Sequence, residues 1–221
     1  MALNLGQQIT TPAQPNLGTP TPAYDQGFFG TSFGGLNVYF TKLTALFSAI
    51  LGPRGGKYIN NPYGAFEDTT DQVAANTTTA YAVTFNTTDF SNGVTLSNSS
   101  RLNVSQAGIY NIQFSIQLTN STNAPQDVDV WFRKNGTNID NSNSRFGFAA
   151  RKSPGDPFHI VAALNFFASL TANDYVEIMW RPTDVGVQIE HYAASSTPTR
   201  PVVPSVIATL SFVSNLSTET A

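Results

Sequence analysis

Ala107–Thr119 reads AGIYNIQFSIQLT, with Tyr110, Ile112, Phe114, Ile116 and Leu118 on one parity and Asn111, Gln113, Ser115 and Gln117 on the other. Successive side chains of a strand point to opposite faces, so alternation of this length marks a half-buried strand. It is too regular and too long for a helix of period 3.6. Gly108 at its start permits a turn or bulge. The stretch is the central strand of a β-sandwich.

Shorter segments of the same kind flank it. Tyr81-Val83-Phe85, Val94-Leu96 and Leu102-Val104 precede it, and Val128-Val130-Phe132 follows with Trp131 on the opposite face. Asn135-Gly136 closes that run with the strongest short hairpin signal, because type I′ turns need positive φ. Ile160–Leu170 is mixed apolar and reads as strand or buried loop. Tyr175–Trp180 is a strand that opens through Asn173-Asp174 and stops at Pro182; Val185-Val187-Ile189 alternates; Val206–Val213 is the last strand. Turns every few residues over 78–214 predict a sandwich or jelly roll.

The front of the chain is different. Residues 1–35 are rich in Pro and Gly and hold no period, which predicts an extended attachment arm anchored by Tyr24, Phe28, Phe29 and Phe33. Leu36, Phe40, Leu43, Phe47 and Ile50 then recur at helical spacing, and Gly52-Pro53 supply a stop, giving an amphipathic helix over 36–52. Its polar face is thin, so it docks in a groove or joins copies of itself at a symmetry axis. It lacks the basic residues of a membrane-surface helix. Residues 53–77 read as linker and 215–221 as a tail.

Composition narrows the functional classes. Hydrophobic residues make up 41% of the 221, enough for a core, while only 11% are charged and the net charge is −3. With no basic cluster, nucleic-acid binding is not expected. The absence of cysteine removes disulfides and thiol chemistry. The start has neither a basic nor an apolar secretion region, and no run is long enough to span a bilayer, so no membrane insertion is expected. The recurrent Asn-x-Ser/Thr triplets read as chance in so Asn-rich a chain.

No catalytic grouping stands out. His159 and His191 are the two histidines, no Gly-x-Ser-x-Gly is present, and Gln188-Ile189-Glu190-His191 is not a zinc motif. Glu177, Glu190, Asp174 and Asp184 are candidate acids, but Glu177 sits between Val176 and Ile178, where a solvated outward position explains it. Glu67, Asp68 and Asp71 lack the spacing of a calcium loop. Arg133 and Lys134 read as solvated hairpin charges. Trp131, Trp180, Arg181 and Tyr192 lie near loop ends and read either as core aromatics at the barrel end or as a glycan platform, with Trp180, Arg181 and Tyr192 as the candidate receptor surface. The expectation is a non-enzyme with no cofactor and no metal.

The order of Gly108-x-Tyr110 before an alternating strand with Phe114, Lys134-Asn135-Gly136 at a strand end, and Asp174-Tyr175-Val176 opening a late strand resembles the C1q/TNF-like jelly roll over 78–214. Asn173 replaces the family's usual Gly, the last strand keeps only Phe212 of its signature, and no Gly-x-y stalk precedes the domain. The resemblance implies a homotrimer, with Tyr110, Phe114, Tyr175 and Phe212 at inner positions of the core or the trimer axis. GGLNVYFTKLTALFSAILGPRGGKYINNPYGAF followed by TAYAVTFNTTDFSNGV is similar to segments of bacteriophage structural proteins, notably marine ones. That implies a virion component assembled in the host cytoplasm: a capsid decoration, cement or short-fibre protein held to other virion proteins by its arm. The alternative is a tail or head-fibre protein that recognises a host surface glycan or protein.

Overall fold

The computed structural model of the chain describes residues 25–51 and 61–215, which belong to two units divided between Asn60 and Asn61. Each unit is taken by itself. Tyr24, the rest of the arm before it, the Gly52-Pro53 stop, the side chain of Ile50 and most of the tail lie outside the described residues.

In the first unit, α1 spans Gln26–Leu51. It starts at Gln26 rather than Leu36, which corrects the boundary of the arm and places Phe28, Phe29 and Phe33 on a helix. The cause is Asp25, whose carboxylate accepts the backbone N–H groups of Gly27 at 2.8 Å and Phe28 at 3.1 Å. That is an N-cap, and it satisfies donors the first turn otherwise leaves open. Thr31 and Thr41 turn their hydroxyls back onto the carbonyls of Gly27 and Asn37. Such bonds keep β-branched polar residues inside a helix.

The second unit is a mainly β, antiparallel sandwich. Its strands are β1 (Tyr63–Asp68), β2 (Gln72–Val73), β3 (Tyr81–Ala82), β4 (Thr87–Asn92), β5 (Val94–Ser97), β6 (Arg101–Val104), β7 (Gly108–Asn120) and β8 (Gln126–Lys134). There follow β9 (Thr137–Asn138), β10 (Ser144–Phe148), β11 (Phe158–Leu170), β12 (Tyr175–Pro182), β13 (Val187–Ile189), β14 (Ser195–Ser196), β15 (Thr199–Arg200) and β16 (Val206–Ser214). β1 and β2 lie in the stretch expected to be linker, so the sandwich begins before residue 78. The segment from 160 is a strand, which settles the choice left open for it.

One sheet runs β11-β7-β16-β1-β4, with β13 sharing the β16 edge of β7 and carrying β2. The other runs β10-β8-β12-β6-β5, with β9 on β8 and β3 on β12. β7 is central as its alternation requires, paired along its whole length with β11 and along most of it with β16.

The inward parity of β7 meets the inward parity of β8 and β12. Tyr110, Ile112, Phe114, Ile116 and Leu118 are buried together with Val128, Val130, Phe132, Val176, Ile178 and Trp180. Across the gap the Phe114 and Phe132 rings lie 5.8 Å apart, and Phe132 stacks on Phe166 at 5.1 Å. Offset and tilted rings at such spacings add to simple area burial.

Two glycines answer to geometry. At Gly136 φ is +83°, following Asn135 at +49°, as a two-residue hairpin between β8 and β9 demands. Gly108 serves a different need from the turn or bulge expected: a side chain there would collide with the Phe212 ring and meet the Ser214 carbonyl at 2.8 Å. The irregularity lies on the opposite strand, where β16 shifts register between Phe212 and Ser214.

Candidate functional site

The two outer faces of the sandwich differ in chemistry. β7, β11 and β16 contain no Asp, Glu, Lys or Arg. Their register sets three rows across the outward side: Ala163–Ser115–Ile207, Asn165–Gln113–Thr209 and Phe167–Asn111–Ser211. Phe167 is 57% exposed, Val161 51% and Ile207 41%. Within this face the side-chain oxygen of Asn111 is shut off from solvent and has no hydrogen-bond partner among the described residues. Buried polar atoms are nearly always paired, so an orphan marks a place where a partner is missing.

The outer face of the β8 sheet holds the charge. Glu177, 3% exposed, accepts two bonds from Arg133 at 2.8 and 3.0 Å and one from the Ser100 hydroxyl at 2.8 Å, with Arg101 at 3.6 Å. The solvated reading of Glu177 and Arg133 is therefore corrected. The outward parity is right, but cross-strand register lays Arg133 directly over the carboxylate. Asp129 is held the same way, by Arg145 through two nitrogens and by Arg181 at 3.5 Å.

Lys134 is also engaged, 2.9 Å from Asp174. Burial pushes Asp174 up, but Lys134, the Thr171 N–H and hydroxyl and the Asn135 amide outweigh it and hold its carboxyl well below the usual range. Asp184 accepts the Gly186 N–H at 2.8 Å. Each candidate acid is spent on backbone, amide, hydroxyl or cationic partners.

The expected receptor surface is taken apart. Trp180 is 1% exposed, in the core beside Tyr81, because it shares the inward parity of Val176 and Ile178. Tyr175 is likewise corrected: it has outward parity, is half-buried, and carries the Arg101 guanidinium 4.4 Å above its ring. Tyr110 and Phe114 are buried, and Phe212 packs edge-on against Tyr110 at 5.6 Å. Burial pushes the Tyr110 hydroxyl up to about 12, and it donates to the Gln106 carbonyl. All three belong to the core of one chain.

Tyr192 stands elsewhere, in a cluster with both histidines. Its hydroxyl donates to Glu190 at 2.7 Å and lies 2.7 Å from His159 Nδ1, while His191 lies 2.7 Å from Asp71. Burial and the Glu190 carboxylate raise the Tyr192 hydroxyl further from ionisation. Burial pushes Asp71 up, but the backbone and ring of His191 prevail and lower it.

Arg181 remains at the surface and lines an open cleft of about 340 Å³ with Trp131. Sequence reading placed Trp131 on the outward parity of β8, and that is where it lies. The loop that completes the cleft, residues 139–143, gave no signal because its order comes from Ser142. That buried hydroxyl accepts the Phe132 N–H at 3.1 Å and donates to the Ile139 carbonyl at 2.7 Å.

Among the described residues no helix is long and apolar enough to cross a membrane. No family model matches the chain, and no curated protein matches it either.

Proposed function

We propose that the chain is a structural protein of a bacteriophage particle, a homotrimeric decoration, cement or short-fibre component whose sandwich forms the displayed knob. The observation that carries the trimer is the outer face of β7, β11 and β16, free of Asp, Glu, Lys and Arg and with His159 at one end, on which Phe167, Val161 and Ile207 are exposed. None of the described Lys and Arg residues of the sandwich lies on a strand of that sheet. A face with apolar groups, amides and hydroxyls but no Asp, Glu, Lys or Arg suits burial around a threefold axis, where one part of the face meets a different part of the same face on the next copy and the ring closes. Obligate interfaces of this kind often bury more than about 2,000 Å².

α1 supports the same reading separately. Phe33 is 65% exposed, Phe40 56% and Phe47 51%. A helix this apolar and this open is suited to packing against copies of itself or a neighbouring protein. The virion assignment rests on the resemblance of the front half to phage structural proteins and on the cysteine-free, Asn-rich composition.

Quantitative mass spectrometry of purified particles from the source tests the assignment. Copies in the hundreds per particle support a decoration or cement role, a few tens support a fibre, and none would overturn the virion reading.

A further inference from the structure

The cleft beside Trp131 lies on the charged outer face of the β8 sheet, within one chain, so it stands apart from the assembly proposed above. The Trp131 indole N–H donates to Asn138 at 2.8 Å, which fixes the ring in one orientation. The ring is half-buried, and Met179, opposite it in register, is buried beneath the same face. Asp140, Asn141 and Asn143 are exposed on the loop pinned by Ser142. Asn141 takes φ +59°, a conformation Asn tolerates better than most residues. Asp129 and Arg181 close the other side; Asp129 is paired with both Arg181 and Arg145, and Arg181 is further held by the Thr77 carbonyl at 2.8 Å.

We propose that this cleft binds the pyranose ring of a neutral saccharide. An oriented indole offers a flat apolar surface for the C–H face of a sugar, and the amides and carboxylate around it meet ring hydroxyls as donors and acceptors. Its volume stands near the lower end of small-molecule sites, about 300–1,000 Å³. Six of the eight lining residues carry amide, carboxylate or guanidinium groups, and Ile139 and Trp131 supply the apolar surface. Neutrality follows from the charges: Arg145 and Arg181 share the one Asp129 carboxylate, leaving one positive charge, and Asp140, which makes no ion pair among the described residues, offsets it at the rim. A site fixed by its own hydrogen bonds before the ligand arrives loses little entropy on binding.

The chain's two tryptophans make the test direct, because Trp180 is buried and Trp131 accessible. The full chain is titrated with the methyl glycosides of glucose, galactose, mannose, N-acetylglucosamine and N-acetylneuraminic acid. Saturation-transfer NMR and acrylamide quenching of Trp131 are the readouts. At least one neutral glycoside is expected to show transfer and to shield Trp131 with millimolar affinity, weakened about tenfold or more in Trp131→Ala. Asn143→Ala is expected to weaken it as well, and it decides the case should Trp131→Ala disturb the Trp180 emission. Absence of binding by all four neutral glycosides at about 100 mM, unchanged affinity in the variants, or preference for the acidic glycoside would each overturn the proposal.

Discussion

The Asn135 amide donates to the Asp174 carboxylate across 2.6 Å, joining two turns thirty-nine residues apart in sequence. Asn135 also accepts the Tyr175 N–H at 2.9 Å and donates its own N–H to the Tyr175 carbonyl at 3.1 Å. The hairpin with positive φ at Asn135 and the turn with φ +70° at Asn173 are thus fastened to one carboxylate.

Asp174→Ala is expected to destabilise the sandwich by about 2–3 kcal/mol at neutral pH, since it strips an ionised acceptor from four donors. Because its folded-state carboxyl is held below the ordinary range, the stabilisation is fully present above the unfolded carboxyl's value of about 4. It fades only as pH falls further, through the folded value. Urea denaturation of both proteins checks this: the gap should be full at pH 7 and shrink in stronger acid. A gap that stays constant with pH counts against the ion pair.

Glu177→Ala leaves Arg133 over an empty site and is expected to cost about 3 kcal/mol or more. Glu177→Leu combined with Arg133→Leu is expected to recover only part of that loss, because Arg133 is no longer left alone but Arg101 and the buried Ser100 hydroxyl still lose their acceptor. Denaturation midpoints of the single and double variants decide it.

Gly108→Ala is expected to destabilise by about 1–3 kcal/mol through collision with the Phe212 ring. Phe212→Leu should soften the penalty in the double variant. Additive losses in thermal unfolding would show that the ring is not the obstacle.

On α1, a side chain at Gly30 or Gly34 would meet nothing within 4 Å. Gly30→Ala and Gly34→Ala are each expected to stabilise the helix by up to about 1 kcal/mol and to raise helicity in circular dichroism. Oligomer mass should not change, since the stripe through Leu36, Phe40 and Leu43 is untouched. A fall in helicity would contradict the placement of these glycines in open helix.

Much of the sandwich was legible because period-2 alternation fixes which side chains face inward, and β7, β8 and β12 follow it residue by residue. The same rule, applied to Val176-Glu177-Ile178-Met179-Trp180, puts Trp180 in the core. The core reading of Trp180 is thus the one the structure bears out, and the receptor-surface reading is not. β1 escaped notice because Gly64 takes an inward slot that the Phe66 ring fills, at 2.6 Å from where a side chain would begin. The helix start was hidden by Gly27, Gly30, Gly34 and Gly35, although Asp25 before an apolar run was a readable cap. Contacts such as Arg133 over Glu177 depend on register between distant strands, which local pattern does not carry.

The central claim is that the outer face of β7, β11 and β16 joins three copies of the chain. Light scattering on the full chain, compared with Phe167→Asp combined with Ile207→Asp, tests it most directly. The expected result is a mass three times 23.8 kDa for the native chain and a smaller one for the variant, with the Trp180 emission unchanged. A native monomer, or a trimer that survives both aspartates, would contradict it.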